Sequence, residues 1–164
     1  MSGTLARRDL QFSNLQEAID DVRQLRQTGY QAVGNWDLTQ SCQHIADWME
    51  FPVQGFPPAG VTWPILAVVR WTIGPRILKT MLDSESMKPG NMTFPKTVYA
   101  ATSSEELQEA ENVAVARLVA TVEAFEKHDG KIHPSPLFGA MDKSTAEHLQ
   151  RIHCAHHLSF LIPK

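Results

Sequence analysis

The stretch SSEELQEAENVAVARLVATVEAFEKHDG, residues 103–130, decides the fold. Ser103 with Glu106 has the form of a capping box and Asp129-Gly130 is a stop signal, so the spacing predicts a long helix that runs to about Lys127. Its middle carries Val113, Ala114, Val115, Leu118, Val119, Val122 and Phe125, with only Arg117 and Glu123 as charges among them. A helix that is apolar on several sides must be surrounded by other elements, and this one is expected at the centre of a helical assembly.

The segments on either side read as its partners. Upstream, Ser13 with Gln16 has the form of a capping box, and Leu15, Ala18, Ile19, Val22 and Leu25 recur at helical spacing up to Gly29. Asp37 with Gln40 repeats the start signal; Leu38, Cys42, Ile45 and Met49, widened by Trp48, form the stripe of a second helix expected to stop before Pro52. Phe51 to Gly60 reads as a loop, and Trp63 to Trp71 and Pro75 to Leu82 as two short helices joined at Gly74-Pro75 that cover a core. Asp83 to Thr102, with Pro89-Gly90 and Pro95, reads as an ordered crossover loop. Downstream, His133-Pro134-Ser135-Pro136 is a rigid connection, Asp142 caps a final helix and Pro163 closes it.

No segment reads as a strand. The expected architecture is all-α: one domain over residues 1–164, a four-helix bundle with a long, partly helical crossover between the second and third principal helices.

Composition narrows the function classes. With 43% hydrophobic and 20% charged residues, the 164-residue chain has enough apolar material for a sizeable core. A formal charge of -3 and the absence of Lys/Arg runs argue against a nucleic-acid partner. Arg7-Arg8 lacks an apolar segment behind it, which argues against a secretory or twin-arginine signal. Arg70, Gly74, Pro75, Arg76 and Lys79 interrupt the apolar Trp63–Leu82 stretch, so a membrane span is not expected. Two cysteines, Cys42 and Cys154, make no disulfide framework and fit a reducing cytoplasm. Apolar surface on Trp63–Trp71 and the extra valines of the long helix point to a homodimer.

The chemistry gathers in Arg151-Ile152-His153-Cys154-Ala155-His156-His157-Leu158. His153 and His157 lie one helical turn apart on one face and form a two-point clamp for a metal ion. His153 with His156 is a second possible pairing. Leu149, Ile152, His156 and Phe160 mark the apolar stripe, which places His156 deeper, and periodicity leaves both pairings open. His44, at the flank of its helix's stripe beside Ser41 and Trp48, is the candidate third ligand. Three neutral imidazoles suit an open site for zinc or nickel, and also admit iron or manganese. Read singly, each histidine is an ordinary half-buried side chain.

These residues resemble the DinB-like superfamily of metal-binding four-helix bundles, within it an uncharacterised bacterial branch. The resemblance runs through Arg7-Arg8-Asp9-Leu10-Gln11-Phe12, the Gln43-His44 pair after Trp36, Pro95 to Ala110, His133-Pro134 with Leu137-Phe138-Gly139, and the ending His153 to Leu158. It implies a divalent metal held by His44, His153 and His157, so it prefers His157 over His156. It also implies thiol-dependent transferases or isomerases that use low-molecular-weight thiols. Phe160 departs from the family pattern, in which a polar residue, often Gln, stands three positions after the last ligand.

Other residues carry less. Cys42 falls in an apolar stripe and Cys154 is expected to turn away toward the surface; Glu111, on the inner side of the long helix, is a candidate fourth ligand or base; His128, His133 and His148 read as helix-end, loop and helix-edge residues. Two function classes follow. One is a metal-dependent thiol transferase or hydrolase acting on a small molecule, its acid or base unassigned. The other is a non-catalytic bundle that holds a metal or small ligand.

Overall fold

A computed structural model describes residues 6–58, 63–90, 95–101, 103 and 106–164 of the chain. Among them are six α-helices, α1 (Leu15–Thr28), α2 (Leu38–Gln54), α3 (Trp63–Thr72), α4 (Gly74–Ser84), α5 (Leu107–Lys127) and α6 (Lys143–Leu158), and two short strands, β1 (Tyr30–Ala32) and β2 (Leu161–Pro163). The protein is mostly helical, with α5 and α6 both packed on α2. Side chains of α1, α2, α5 and α6 interlock in one core that includes Leu15, Val22, Leu38, Ile45, Leu118, Phe125 and Leu158. The apolar periodicity of these four helices is what builds that core.

The strands were not expected. β1 and β2 pair antiparallel with Tyr30 opposite Pro163, Gln31 opposite Ile162 and Ala32 opposite Leu161. Helix α6 therefore ends at Leu158, ahead of Pro163, and the backbone groups beyond it find partners in the segment between α1 and α2. Pro163 is tolerated because it stands at the end of a strand, where no ladder donor is needed. Gly29, at φ 75°, makes the turn from α1 into β1.

Three further helix ends differ from expectation. The cap of α1 is Asn14, which accepts from Glu17 N at 2.9 Å while Glu17 Oε2 accepts from Ser13 N at 2.7 Å. The start is thus shifted by one residue from Ser13 and Gln16 and lacks the reciprocal bond of a capping box, since the Glu17 carboxylate accepts from the residue before the cap. At α5 the expected Ser103–Glu106 box is missing: Glu106 occupies the cap without a side-chain cap bond, and Ser103 Oγ donates to the Glu106 carboxylate at 3.4 Å.

Helix α2 continues through Pro52 to Gln54. Proline lacks the N–H that would bond the Trp48 carbonyl, and Gln150 Nε2 of α6 donates to that oxygen instead at 2.6 Å. The break expected at Pro52 is thereby replaced by a link between α2 and α6. The capping box at Asp37 and Gln40 forms as read from the sequence, as does the Asp142 cap of α6.

The α3–α4 pair covers less than expected. Ile65, Val68 and Trp71 are 66%, 62% and 81% exposed, and Gly74 is the sole residue of α4 that is buried. Gly74 lets the elbow seat backbone against backbone, since a Cβ there would lie 2.1 Å from the Leu137 carbonyl. Helix α4 packs on α6, and the crossover returns through a 3-10 turn at Pro95–Thr97. Of the expected Phe51–Gly60 and Asp83–Thr102 loops, residues 59–60, 91–94 and 102 lie outside the described residues. No helix among the described residues is long and apolar enough to cross a membrane.

Candidate metal centre

Helices α2 and α6 bring His44, His153 and His157 together. His44 Nε2 lies 3.2 Å from His153 Nε2, and His157 Nε2 lies 3.0 Å from the same atom. One ligand atom from each ring falls within 4.8 Å of the others. His44 and His153 are buried, and His157 is partly exposed, so the cluster meets solvent on its side.

Protonation follows from the surroundings. His44 Nδ1 faces the Thr97 carbonyl at 2.9 Å, and since that oxygen only accepts, Nδ1 carries the proton and Nε2 keeps its lone pair. Burial holds His44 below the ordinary imidazole range; the Thr97 carbonyl works partly against that shift. Burial, then the neighbouring His157, His44 and His156, pushes His153 well below that range, and burial with His44 and His156 does the same to His157. Three neutral rings thus converge.

This donor set fits a metal ion. His153 Nε2 stands within hydrogen-bond distance of two nitrogens and can offer at most one proton, so the protein alone cannot satisfy all three. A tetrahedral ion with bonds of about 2.0–2.1 Å to imidazole sets its ligands about 3.3 Å apart, close to the two separations found. Three protein ligands leave a fourth position open.

Aromatic rings wall the cluster. Trp36 lies edge-on to His44 with centroids 4.8 Å apart, and Trp48 meets His153 edge-on at 5.9 Å. Phe51 and Phe56 stand against Trp48 at 5.7 Å and 6.3 Å. Trp48 belongs to the stripe read from the sequence. The place of Trp36, in the connection before α2, had no periodic signal.

His156 does not join the cluster. It is half-buried, its Nδ1 donates to the Met87 carbonyl at 3.1 Å, and its ring meets His157 and Phe160 edge-on. The stripe read for α6 was too narrow, because this helix packs on α1 and α2 on one side and on α4 on another. For the same reason Cys154 is buried, contrary to expectation, and its thiol is pushed up to about 12 by burial. Cys42 is buried as expected, and burial raises its thiol too. Neither is a thiolate near neutral pH.

Glu111 is drawn elsewhere. Its Oε1 accepts from Tyr30 Oη at 2.9 Å, and Tyr30 Oη accepts from Leu38 N at the start of α2. His148 bonds the Glu85 carboxylate, and His128 Nε2 faces the Lys131 carbonyl at 3.4 Å, so both are occupied locally. The imidazole of His133 lies beside Gly55.

Over residues 4–164 the sequence matches the family model DUF1569, described as a protein of unknown function. The chain belongs to the DUF1569 family. No curated protein and no solved structure matches it. What can be said of this DUF1569 chain's chemistry therefore comes from its own residues, above all the three imidazoles on α2 and α6.

Proposed function

We propose that this chain binds a divalent metal ion through His44, His153 and His157, zinc or nickel ahead of iron or manganese, and uses it as a metal-dependent thiol transferase or hydrolase. The observation that carries the reading is the convergence of three buried or partly buried Nε2 atoms, those of His157 and His44 lying 3.0 and 3.2 Å from that of His153. The reading takes the chain as a member of the DinB-like superfamily, with the four core helices as the bundle, on the resemblance that its sequence carries. A single domain, a cytoplasmic homodimer and a small-molecule or low-molecular-weight thiol substrate complete the reading.

A metal ion there would supply Lewis acidity and lower the pKa of a bound water or thiol. The chain's own residues set the frame. His44 is fixed in one tautomer by Thr97, Trp36 and Trp48 restrict the rings, and the apolar wall limits water. The buried cysteines stay protonated, so a reacting thiol must come from the substrate.

A second reading, a holder of metal or small ligand without turnover, rests on one observation. Among the described residues no carboxylate bonds any of the three histidines. Metal analysis of protein purified without added metal and without a His tag tests the main reading. About one divalent ion per chain is expected, lost in His153→Ala and His157→Ala while the fold persists. Wild-type protein that takes up no divalent ion near neutral pH would remove the reading. A thiol-transfer screen on metal-loaded protein then separates the transferase from the holder.

A further inference from the structure

One side of α2 carries three polar residues that are all buried: Gln40, His44 and Asp47. Positions i, i+4 and i+7 share a face, and all three engage the same short piece of the crossover. Gln40 Nε2 donates to the Tyr99 carbonyl at 2.6 Å, His44 Nδ1 to the Thr97 carbonyl at 2.9 Å, and Tyr99 Oη to Asp47 Oδ2 at 2.7 Å. Tyr99 is therefore pinned at both ends, one turn before His44 and one turn after it. Arg117 of α5 braces the far end: it donates to Asp47 Oδ1 at 2.6 Å and to Glu50 Oε2 at 3.0 Å.

We propose that Tyr99 is a positioning residue for the histidine cluster: pinned by Gln40 and Asp47, it fixes the crossover so that the Thr97 carbonyl holds His44 with its proton on Nδ1. This rests on the metal reading of the same histidines. Its physical content is local. Thr97 closes a short turn, and Tyr99 stands two residues on. Loss of the Tyr99 tether loosens the segment that carries the Thr97 carbonyl, and His44 gains access to the other tautomer, in which Nε2 bears the proton and cannot bind a cation. Arg117 holds the Asp47 carboxylate aimed at Tyr99, which couples the central helix to the segment that holds His44.

The test has two arms. In metal-free protein, nitrogen-15 NMR of the imidazoles reads the His44 tautomer; in a competition with a chelator, zinc reads the affinity. Tyr99→Phe removes one hydroxyl and keeps the ring. It should turn a single Nδ1-protonated His44 into a mixture and weaken zinc binding roughly tenfold, the scale on which partners of metal ligands act. Gln40→Ala, which releases the other end of the tether, should act in the same direction. Val122→Ala, a core truncation on α5 away from these bonds, should lower the melting temperature and leave tautomer and affinity alone. If Tyr99→Phe and Gln40→Ala lower only the melting temperature, the proposal is overturned. If wild-type protein binds no zinc, the metal reading falls, and the tautomer arm still decides whether Tyr99 positions His44.

Discussion

The indole of Trp36 lies flat on the imidazole of His157, with centroids 5.1 Å apart and planes 8° from parallel. A stacked ring cannot swing without breaking that contact, so Trp36 restricts the most exposed member of the cluster. Trp36→Ala should weaken zinc binding several-fold, with a smaller change in melting temperature, because Trp36 is itself only half-buried. Isothermal titration with zinc measures the first and a thermal melt the second; unchanged affinity would mean that the stack is incidental.

His156 separates the two pairings that spacing left open. Its Nδ1 is committed to the Met87 carbonyl, so His156→Ala should leave at least most of the metal affinity, whereas His157→Ala should abolish stoichiometric binding. Metal content of the two variants decides it. Binding lost with His156 and kept without His157 would reassign the site.

The pH dependence has a defined sign. Unfolded histidines titrate near about 6.5, and burial sets the three folded ones lower. Between those values the unfolded chain holds more protons, so the stability of metal-free protein should fall as pH drops below about 6.5. Above that value the three rings should contribute no slope. Melting temperatures of chelator-treated protein across that range provide the check, and a slope of opposite sign would contradict buried neutral rings.

Leu118→Asp should destabilise the fold severely, by about 4 kcal/mol or more, because it places an unpaired charge at a position 1% exposed in the central helix. Urea unfolding is the measurement. A midpoint near wild type would show that α5 is not the centre of the core.

Self-association is expected through α3. Ile65, Val68 and Trp71 project from it exposed, and Trp71→Glu should shift the chain toward monomer. Sedimentation velocity at several concentrations reads this directly; a wild-type monomer throughout would refute it.

The four core helices were legible because their apolar residues repeat at helical spacing, and Asp37 and Asp142 mark starts by local chemistry that tertiary context left alone. The histidine cluster was legible in part, as the i,i+4 clamp and one isolated histidine. What the sequence hid was long-range. Nothing local to Pro52 says that Gln150 will supply the Trp48 carbonyl with the donor that proline lacks, and nothing local to residues 161–163 says that they will pair with residues 30–32. The polar run Gln40, His44 and Asp47 was the missed signal, since three polar residues along one buried line of a helix require partners from another segment.

The span between the histidines has a consequence for the order of folding. His44 and His153 are 109 positions apart, so the cluster cannot exist until most of the chain has closed on itself. His153 and His157, by contrast, need only one turn of α6. An isolated α6 would thus offer a metal ion two ligands, and only the closed fold would offer three. Zinc held by all three histidines would then report that α2 and α6 have met, and not merely that α6 has formed.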